Sequence, residues 1–317
     1  KDVLDDLRSN VKERDTQYVD CNATEREELV FSKLKDLKLP DSDGKAKAGQ
    51  LFKTTLAKSL LSSPMAALET VHNRLKRLQG ASTESRGDMN ALRELEPLLA
   101  AIRPDDFSKY HRLLELIQSD WNWRGKEPND RIVIFTGRRE TQRFLMHRLA
   151  RDLELKPEGV VAIDGAMQDV LQNQLVEQFA QEKEAVRILV ATEVASEGLN
   201  LHYLCHRLVH FDIPWSLMTL QQRNGRIDRY GQQQQPKIRY LLTQSRSEGM
   251  GDADKILRLL INKDQQAQQN IGDPSVFLRA FDIEKEEDEI AKAFEERDVT
   301  SLEKRMDSNA ELYQQKS

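Results

Sequence analysis

Two patterns of hydrophobic positions divide the chain near residue 122. Before that point, apolar residues recur at a spacing of three and four, as in the stripe from Leu68 to Leu78, and this spacing predicts amphipathic helices. Ser63 and Pro64 precede that stripe as an N-cap and a first-turn proline. The pattern predicts helices over 24–37, 47–61, 64–78, 89–101 and 105–119, and a short strand at 17–20.

From about residue 125 the apolar residues instead form short continuous runs. Such runs are typical of strands in a parallel sheet that is covered on both faces. Amphipathic stretches at 139–152, 167–182 and 215–224 lie between most of them, and this alternation predicts an α/β fold with right-handed crossovers. The runs occupy residues 132–135, 160–163, 188–191, 208–211 and 238–242.

These patterns predict three regions. Residues 1–122 form a helical region, 123–270 form a parallel sheet flanked by helices, and 271–317 form an acidic helical tail. In parallel α/β sheets ligands bind at the carboxyl ends of the strands. The residues that follow the apolar runs are therefore the first candidates for a site.

Composition limits the class of protein. The 317 residues are enough for two domains. No apolar run approaches the roughly 20 residues of a membrane helix, and no signal-peptide pattern opens the chain. The two cysteines, Cys21 and Cys205, give no disulfide framework and favour a reducing cytoplasm. Because the chain begins with Lys1, we expect it to be a piece of a longer protein.

The charge pattern leaves nucleic-acid binding open. A net charge of −5 does not favour binding by the whole surface, but a phosphate backbone needs only a local basic strip. Each basic stretch of this chain can also be a solvated helix face. The two stretches are Arg138, Arg139, Arg143, Arg148 and Arg151, and Arg74, Lys76 and Arg77.

The polar stretch Gln222–Gln232, which follows a predicted strand, is the most specific pattern in the chain. If the stretch is helical, Gln222, Arg226 and Arg229 lie in nearly one row, since residues three and four apart share a helix face. Two guanidinium groups on one face can hold a phosphate bidentately and never lose their charge. The alternative is again a solvated basic helix face.

Three motifs resemble those of superfamily 2 helicases and translocases. The stretch Gln222–Arg229, of the form Gln-x-x-Gly-Arg-x-x-Arg, resembles motif VI. The stretch Ala191–Leu201 resembles motif V, and Arg131–Gly137 resembles motif IV. They occur in the expected order, on predicted strand ends.

Within that superfamily the chain resembles the bacterial branch of the SWI/SNF-type ATPases, which includes an ATPase that recycles RNA polymerase. Tyr230–Gln232 supports this branch. Asp228 stands where chromatin remodellers carry histidine, and Glu197 stands where they carry a small residue. The resemblance implies a RecA-like C-terminal motor lobe at 123–270, preceded by the helical region that joins the two lobes.

The resemblance also implies roles for individual residues. ATP and Mg²⁺ would be held by an N-terminal lobe, with Arg229 as the arginine finger, Arg226 as a second γ-phosphate contact and Gln222 orienting the pair. No residue of this chain is assigned to a metal. Further nucleotide contacts would be Glu197, Gly198, Asn200 and Gly225, and backbone contacts to double-stranded DNA would be Thr136, Gly137, Arg138, Gly165 and Thr192.

The first lobe itself has no counterpart in this sequence. A P-loop ends in Gly-Lys-Ser/Thr between a strand and a helix, but Gly44-Lys45 is followed by Ala46 and has no such context. We therefore expect the chain alone to be inactive as an ATPase. Its expected partners are sequence-independent duplex DNA, the N-terminal lobe of the parent protein, and RNA polymerase or a defence complex.

Alternatives remain at each level. The chain could be a non-catalytic module that binds DNA or protein, or part of a strand-separating helicase. Trp121 and Trp123 could stack on bases or seal the join between the helical region and the sheet. A zinc site at His202, Cys205, His206 and His210 is disfavoured, because the spacing matches no closed zinc pattern.

Overall fold

A computed structural model of the protein describes residues 13–37, 46–79, 86–192, 200–271, 275–278 and 282–315. The chain divides into two compact units. The first unit comprises Lys1–Asp20, Tyr110–Ile213 and Gln221–Leu242, and the second comprises Cys21–Lys109, Pro214–Leu220 and Thr243–Ser317. The assignment of separate domains to 1–122, 123–270 and 271–317 stays a prediction.

Six strands form one sheet. In chain order they are β1 (Asp15–Asn22), β2 (Arg131–Phe135), β3 (Val160–Ile163), β4 (Ile188–Ala191), β5 (Cys205–His210) and β6 (Lys237–Gln244). Their spatial order is β1-β6-β5-β2-β4-β3. The pairs β3/β4, β4/β2, β2/β5 and β5/β6 are parallel, which confirms the predicted sheet. Every residue of β2, β4 and β5 is buried, and β4 is a continuous apolar run, whereas β5 also buries His206, Arg207 and His210.

The first strand differs from its prediction. We predicted a short strand at 17–20 inside a helical region, whereas β1 is longer and lies at the edge of the sheet beside β6. The Asp15 N–H donates to the Pro236 carbonyl at 2.8 Å and the Ala23 N–H to the Gln244 carbonyl at 2.9 Å, so β1 and β6 run in the same direction. Within β1 only Val19 and Cys21 are buried, and this alternation gives a weaker signal than an apolar run.

Helices flank the sheet and make up most of the second unit. In chain order they are α1 (Glu25–Asp36), α2 (Ala46–Ser62), α3 (Pro64–Leu78), α4 (Arg86–Ala100), α5 (Ser108–Glu115), α6 (Arg139–Asp152), α7 (Asp169–Phe179), α8 (Leu217–Asn224), α9 (Glu248–Gln266), α10 (Ser275–Leu278), α11 (Ile283–Glu296) and α12 (Val299–Gln314). Ser63 caps α3 as predicted, because its side chain accepts from the Ala66 N–H. In the described ranges no helix is both long and apolar enough to cross a membrane.

The predicted helix over 105–119 is interrupted. A short 3-10 turn at Pro104–Asp106 precedes α5, and a π-helical turn at Leu116–Asp120 follows it. The Ser108 N–H at the start of α5 donates to the buried Glu27 carboxylate at 3.3 Å. A tertiary contact therefore decides where this helix begins, and residue spacing alone does not reveal it.

The acidic tail packs within the second unit through α11. The buried Glu286 carboxylate accepts from the Ser216 hydroxyl at 2.6 Å and from the Met218 N–H at 3.1 Å. Ser216 in turn accepts from the Thr219 N–H at 3.1 Å. Two N–H groups in the first turn of α8 are thus bonded by side chains. Trp215 adds an edge-to-face contact with Phe294, with ring centroids 5.3 Å apart.

Ser216→Ala tests this capping arrangement. We expect the free energy of unfolding to fall by about 1–3 kcal/mol, because α8 loses its N-cap and the buried Glu286 carboxylate loses a donor. Urea unfolding of the chain measures the change. Ser32→Ala is the matched control, since the exposed Ser32 hydroxyl bonds only the local Leu29 carbonyl, and its effect should stay within about 0.5 kcal/mol. Equal effects of the two substitutions would contradict the capping role.

Candidate functional site

The carboxyl ends of four strands meet at one edge of the sheet. In the ladder Phe135 pairs with Ala191 and with His210, and Ala191 pairs with Ile163. The residues that follow β2, β3, β4 and β5 therefore leave the sheet at the same level. The path of the chain reverses between β2 and β5, and in α/β sheets such switch points are where ligands bind.

The predicted DNA contacts at the end of β2 are used inside the protein. Thr136 is fully buried and its hydroxyl donates to Asp212 Oδ2 at 2.6 Å. The Gly137 N–H donates to Asp212 Oδ1 at 2.8 Å. Both groups already have a carboxylate acceptor in this structure, and their direct contact with a phosphate stays a prediction. What the loop exposes is Gly137 itself, next to the half-buried Arg138.

The other predicted DNA contacts lie on neighbouring strands. Thr192 follows β4, but it is 7% exposed and its N–H donates to the Ile163 carbonyl at 3.1 Å, so it lies below the surface of the edge. Gly165 follows β3 and is exposed, in a turn that Asp164 closes by accepting from the Ala166 N–H at 2.7 Å. The edge therefore presents Gly137, Arg138 and Gly165 at its surface.

The basic strip on α6 is largely neutralised. Arg139 contacts Asp164 at 3.3 Å, and Arg143 contacts Glu140 at 2.6 Å. Arg148 and Arg151 share the single carboxylate of Asp152, at 3.0 and 2.8 Å. These pairs resemble an ordinary solvated helix face and make Arg138 the more promising cation of the strip.

The helix of the Gln222–Gln232 stretch ends earlier than predicted. α8 ends at Asn224, so Gln222 is helical and half-buried, whereas Arg226 and Arg229 lie in the turns that follow. The Arg226 N–H donates to the Arg223 carbonyl at 3.2 Å, which is a bond of the tighter 3-10 type. The predicted single row of Gln222, Arg226 and Arg229 on one helix face is therefore wrong.

A different contact brings the predicted nucleotide residues together. Arg229 is exposed, and its guanidinium donates to the side-chain oxygen of Asn200. The Leu201 N–H donates to the Arg226 carbonyl at 3.2 Å, so the end of motif V is held against the arginine turn. Glu197 and Gly198 lie outside the described residues. The structure thus places Asn200 beside Arg229, although the two are far apart in sequence.

Gly225 begins the arginine turn. Its N–H still donates to the Gln221 carbonyl at 2.9 Å, as in a helix. A Cβ added at Gly225 would lie 3.3 Å from that same carbonyl oxygen, so a side chain here would crowd the end of α8. The neighbours of such a Cβ are thus the helix's own backbone atoms, and the predicted nucleotide contact of Gly225 stays a prediction.

Arg223 is a buried residue that the sequence motif did not single out. It is 0% exposed, and its Nη1 donates to the Asp212 carbonyl at 3.0 Å while the guanidinium lies over the Phe135 ring. A signal was present in the sequence, since Leu217, Leu220 and Ile227 form a buried stripe that passes through position 223 or 224. The functional motif drew attention to the other two arginines instead.

A buried polar network extends from Asn224 next to Arg223. Asn224 contacts His210 Nε2 at 2.8 Å and donates to the Tyr240 hydroxyl at 3.1 Å. The His210 and Tyr240 rings are stacked, with centroids 4.8 Å apart. Burial, and secondly the charge of Arg223, lower the pKa of His210 well below its ordinary value of 6.5. His210 is therefore neutral in the folded protein at physiological pH.

His202 lies under the far end of the turn. Gly231 has a φ of +93°, and a Cβ there would lie 3.4 Å from His202 Nε2. Burial, followed by the charge of Arg229, lowers the pKa of His202. Tyr203 stacks on the His202 ring at 4.1 Å, and both Tyr203 and Tyr230 are exposed. In the part of the chain that the structure describes, no His, Cys, Asp or Glu cluster is suited to a metal ion.

The two tryptophans lie within the first unit. The Trp123 indole donates to the Asp130 carbonyl at 2.7 Å. The Trp121 ring lies close to the guanidinium groups of Arg207 and Arg239, at 5.1 and 5.8 Å. Arg207 pairs in the ladder with Lys237, the first residue of β6, so this cluster lies toward the amino ends of the strands. Its position favours a packing role over base stacking.

Residues 108–231 match the helicase conserved C-terminal domain. This region contains the whole edge and the arginine turn, so the part of the chain with the candidate site resembles the C-terminal lobe of a superfamily 2 helicase. The chain is similar in sequence to RapA and in fold to a SWI2/SNF2 ATPase core, in line with the predicted resemblance.

Two curated relatives illustrate the similarity. The chain is 28% identical over 160 residues to the uncharacterized ATP-dependent helicase YqhH of Bacillus subtilis (strain 168), over 50% of this chain and 26% of that protein. It is 43% identical over 60 residues to the RNA polymerase-associated protein RapA of Pectobacterium carotovorum subsp. carotovorum (strain PC1), over 19% of this chain and 6% of that protein. These alignments span about a quarter or less of either relative.

Solved structures share the fold. The C-terminal part of the Fun30 ATPase domain superposes with a TM-score of 0.53 at 14% identity, over 90% of this chain and 98% of that one. The Sulfolobus solfataricus SWI2/SNF2 ATPase core in complex with dsDNA superposes with a TM-score of 0.53 at 16% identity, over 92% of this chain and 50% of that one. At such identities the likeness concerns the fold alone, and it confirms the RecA-like lobe.

The buried histidine predicts a pH dependence of stability. The unfolded state takes up a proton at His210 as the pH falls through 6.5, whereas the folded state does not, so the stability contributed by neutral His210 is lost as the pH falls below 6.5. Between pH 7.5 and 5.5, wild type should therefore lose about 1 kcal/mol more than His210→Gln. Urea unfolding at both pH values measures this difference.

His147→Gln is the control for that comparison, because His147 is an exposed histidine on α6. It should follow the wild-type pH dependence. If His210→Gln also loses as much stability as wild type between the two pH values, a neutral buried His210 is contradicted.

Proposed function

We propose that this chain is the C-terminal motor lobe of an ATP-dependent DNA translocase. In this proposal ATP and Mg²⁺ are bound by an N-terminal lobe of the same parent protein, and this lobe completes the site when the two close. The contact between the exposed Arg229 and Asn200 is the observation that carries the proposal. It brings an arginine and an amide from two separate motifs to one place.

The guanidinium groups of the arginine turn suit a terminal phosphate. Hydrolysis of ATP spreads negative charge over the transferred phosphoryl group, and a positioned guanidinium stabilises that charge. Arg229 would act as the finger and Arg226 as a second γ-phosphate contact. Arg226 is half-buried and its carbonyl is bonded to Leu201, so its backbone is fixed while its side chain stays partly accessible. Asn200, which holds Arg229 here, would contact the nucleotide ribose.

Gln222 and Gly225 would act on the arginines from the end of α8. Gln222 lies in the last turn of that helix, one turn before Arg226, where it can orient the two arginines through the turn. Gly225 keeps the start of the turn free of a side chain. Glu197 and Gly198 would complete the nucleotide contacts from motif V.

DNA contact is proposed for the three loops that leave β2, β3 and β4. Gly137, Arg138 and Gly165 would meet the phosphate backbone, and the buried Thr136 and Thr192 would set the shapes of the loops. Contacts to phosphates position a protein on DNA without reading sequence. A site that is complete only when two lobes close would couple hydrolysis to movement along DNA.

A non-catalytic binding module is the second candidate. The neutralised arginines of α6 favour it, because they leave a small basic surface for DNA. A retired lobe would be expected to lose the two arginines first, however, and here both are present and contact the end of motif V. Any association with RNA polymerase or a defence complex belongs to the same proposal and rests on the similarity to RapA.

Arg229→Ala in the full-length protein tests the finger. DNA-stimulated ATP hydrolysis should fall on the order of 10³-fold, because the transition state loses a guanidinium, while DNA affinity is retained. Steady-state ATPase and DNA-binding titrations measure the two effects. Arg246→Ala is the control, since Arg246 is exposed, paired with Glu25 and Glu28, and belongs to none of the three motifs. If Arg229→Ala hydrolysed ATP at the wild-type rate, the role of Arg229 as an arginine finger would be contradicted and the binding module would be favoured.

The salt dependence of DNA binding tests the proposed loop contacts. Arg138→Ala should weaken duplex binding equally for unrelated sequences and reduce the slope of log Kd against log salt by about 1, because one phosphate contact is lost. Arg124→Ala should leave the slope unchanged, since Arg124 bonds the Gln118 and Trp123 carbonyls away from this edge. An unchanged slope for Arg138→Ala would remove that contact from the proposal.

The form of DNA separates a translocase from a helicase. Stimulation of ATP hydrolysis mainly by duplex DNA is expected for a translocase, and stimulation mainly by single strands would favour a strand-separating helicase.

A further inference from the structure

Asp212 joins two parts of the edge that the sequence motifs treat as separate. It follows β5 at the switch point of the sheet and is 8% exposed. One carboxylate oxygen accepts from the Thr136 hydroxyl at 2.6 Å and the other from the Gly137 N–H at 2.8 Å. The Arg138 N–H in turn donates to the Thr136 hydroxyl oxygen at 3.3 Å. The loop proposed to meet DNA is therefore built around this carboxylate.

Asp212 also contacts the helix that leads into the arginine turn. The fully buried Arg223 donates to the Asp212 carbonyl at 3.0 Å, and its Nη1 lies 3.8 Å from the carboxylate. Its guanidinium lies over the Phe135 ring, at 5.6 Å from the centroid. Arg223 thus connects the last turn of α8 to the ends of β5 and β2.

The arginine turn is built on Arg223 and its neighbour. The N–H of Arg226 donates to the Arg223 carbonyl at 3.2 Å, and the N–H of Asp228 to the Asn224 carbonyl at 3.0 Å. Direct bonds therefore run from the loop after β2, through Asp212 and Arg223, to the turn that holds Arg226 and Arg229. Each contact in this chain lies within the first unit.

A charged pair is a costly way to fill a buried position. Apolar side chains of similar volume are often as stable, so a buried ion pair is weak as an explanation of stability. What the pair gives instead is a fixed geometry, because each partner has directional bonds to a different segment. Asp212 is bonded to the loop after β2, and Arg223 is bonded to the arginine turn. Because Arg223 donates to Asp212, displacing the loop or the turn also disturbs the other segment.

We propose that Asp212 is a positioning residue that couples the DNA-contact loop to the arginine turn. DNA bound at Gly137 and Arg138 would fix the Thr136–Asp212 bond, and through Arg223 it would fix the geometry of Arg226 and Arg229. The expected effect on ATP hydrolysis rests on the proposed motor function. The physical coupling between the two segments is a property of this chain alone. The test therefore has two arms.

The first arm measures amide hydrogen exchange of the chain alone. Thr136→Val keeps the shape of the side chain but removes the hydroxyl, and Thr136→Ser keeps the hydroxyl as the matched control. We expect Thr136→Val to speed exchange about fivefold in residues 136–140 and also in residues 223–230, with little change for Thr136→Ser. Faster exchange confined to residues 136–140 would overturn the coupling.

The second arm measures ATP hydrolysis by the full-length protein against duplex DNA concentration. Thr136→Val should lower the maximal stimulation by DNA about tenfold relative to Thr136→Ser, because saturating DNA no longer positions the arginines. A normal maximum reached at higher DNA concentration would show a binding effect only and would overturn the inference. If wild type shows no DNA-stimulated hydrolysis, the proposed function fails, while the exchange experiment still decides whether the two segments are coupled.

Discussion

A buried negative charge at the switch point of a parallel sheet is the constraint around which the candidate site is organised. A carboxylate that leaves water needs donors, and the Asp212 carboxylate finds them in the Thr136 hydroxyl and the Gly137 N–H, with the Arg223 guanidinium 3.8 Å away. The two donors belong to the loop after β2, and Arg223 belongs to the end of α8. The sheet brings the two together, because the carboxyl ends of adjacent parallel strands leave at the same level.

The sequence predicts the central strands of the sheet well and the edge strand β1 less well. β2 and β4 match their apolar runs within one residue, because strands covered on both faces need apolar side chains at every position. β1 is harder to recognise, since an edge strand with buried positions only at Val19 and Cys21 has a weak pattern. The family motifs place Arg229 and Asn200 in one site, and the structure brings these residues together through a direct contact.

What the sequence does not predict depends on tertiary contacts. The end of α8 at Asn224 is marked locally only by Gly225, and it is fixed by the bonds that Arg223 and Asn224 make to Asp212, His210 and Tyr240. The burial of Thr136 likewise depends on the neighbouring strand. At the other end of α8, Glu286 from the tail caps a helix about 70 positions earlier in the chain. Helix propensity and spacing contain no information about such partners.

These contacts suit the helicase C-terminal lobe defined by residues 108–231 and by the shared fold. A lobe of this kind needs a rigid edge, since misplacing a reacting group by about 1 Å can cost on the order of 100-fold in rate. In the proposed motor the buried network below the turn would supply that rigidity, and the exposed Arg229 would face the partner lobe. The ion pairs of the α6 arginines leave the proposed DNA contact to the loops beside the same network.

The central claim is that Arg229 reaches the phosphate of a nucleotide bound elsewhere in the parent protein. A structure of the full-length protein with ADP, aluminium fluoride and duplex DNA tests it most directly, because the fluoride complex imitates the phosphoryl group in transfer. The account predicts the Arg229 guanidinium within about 3 Å of the fluoride, at hydrogen-bonding distance. An Arg229 that stays on Asn200, with no arginine of this chain near the fluoride, would contradict it.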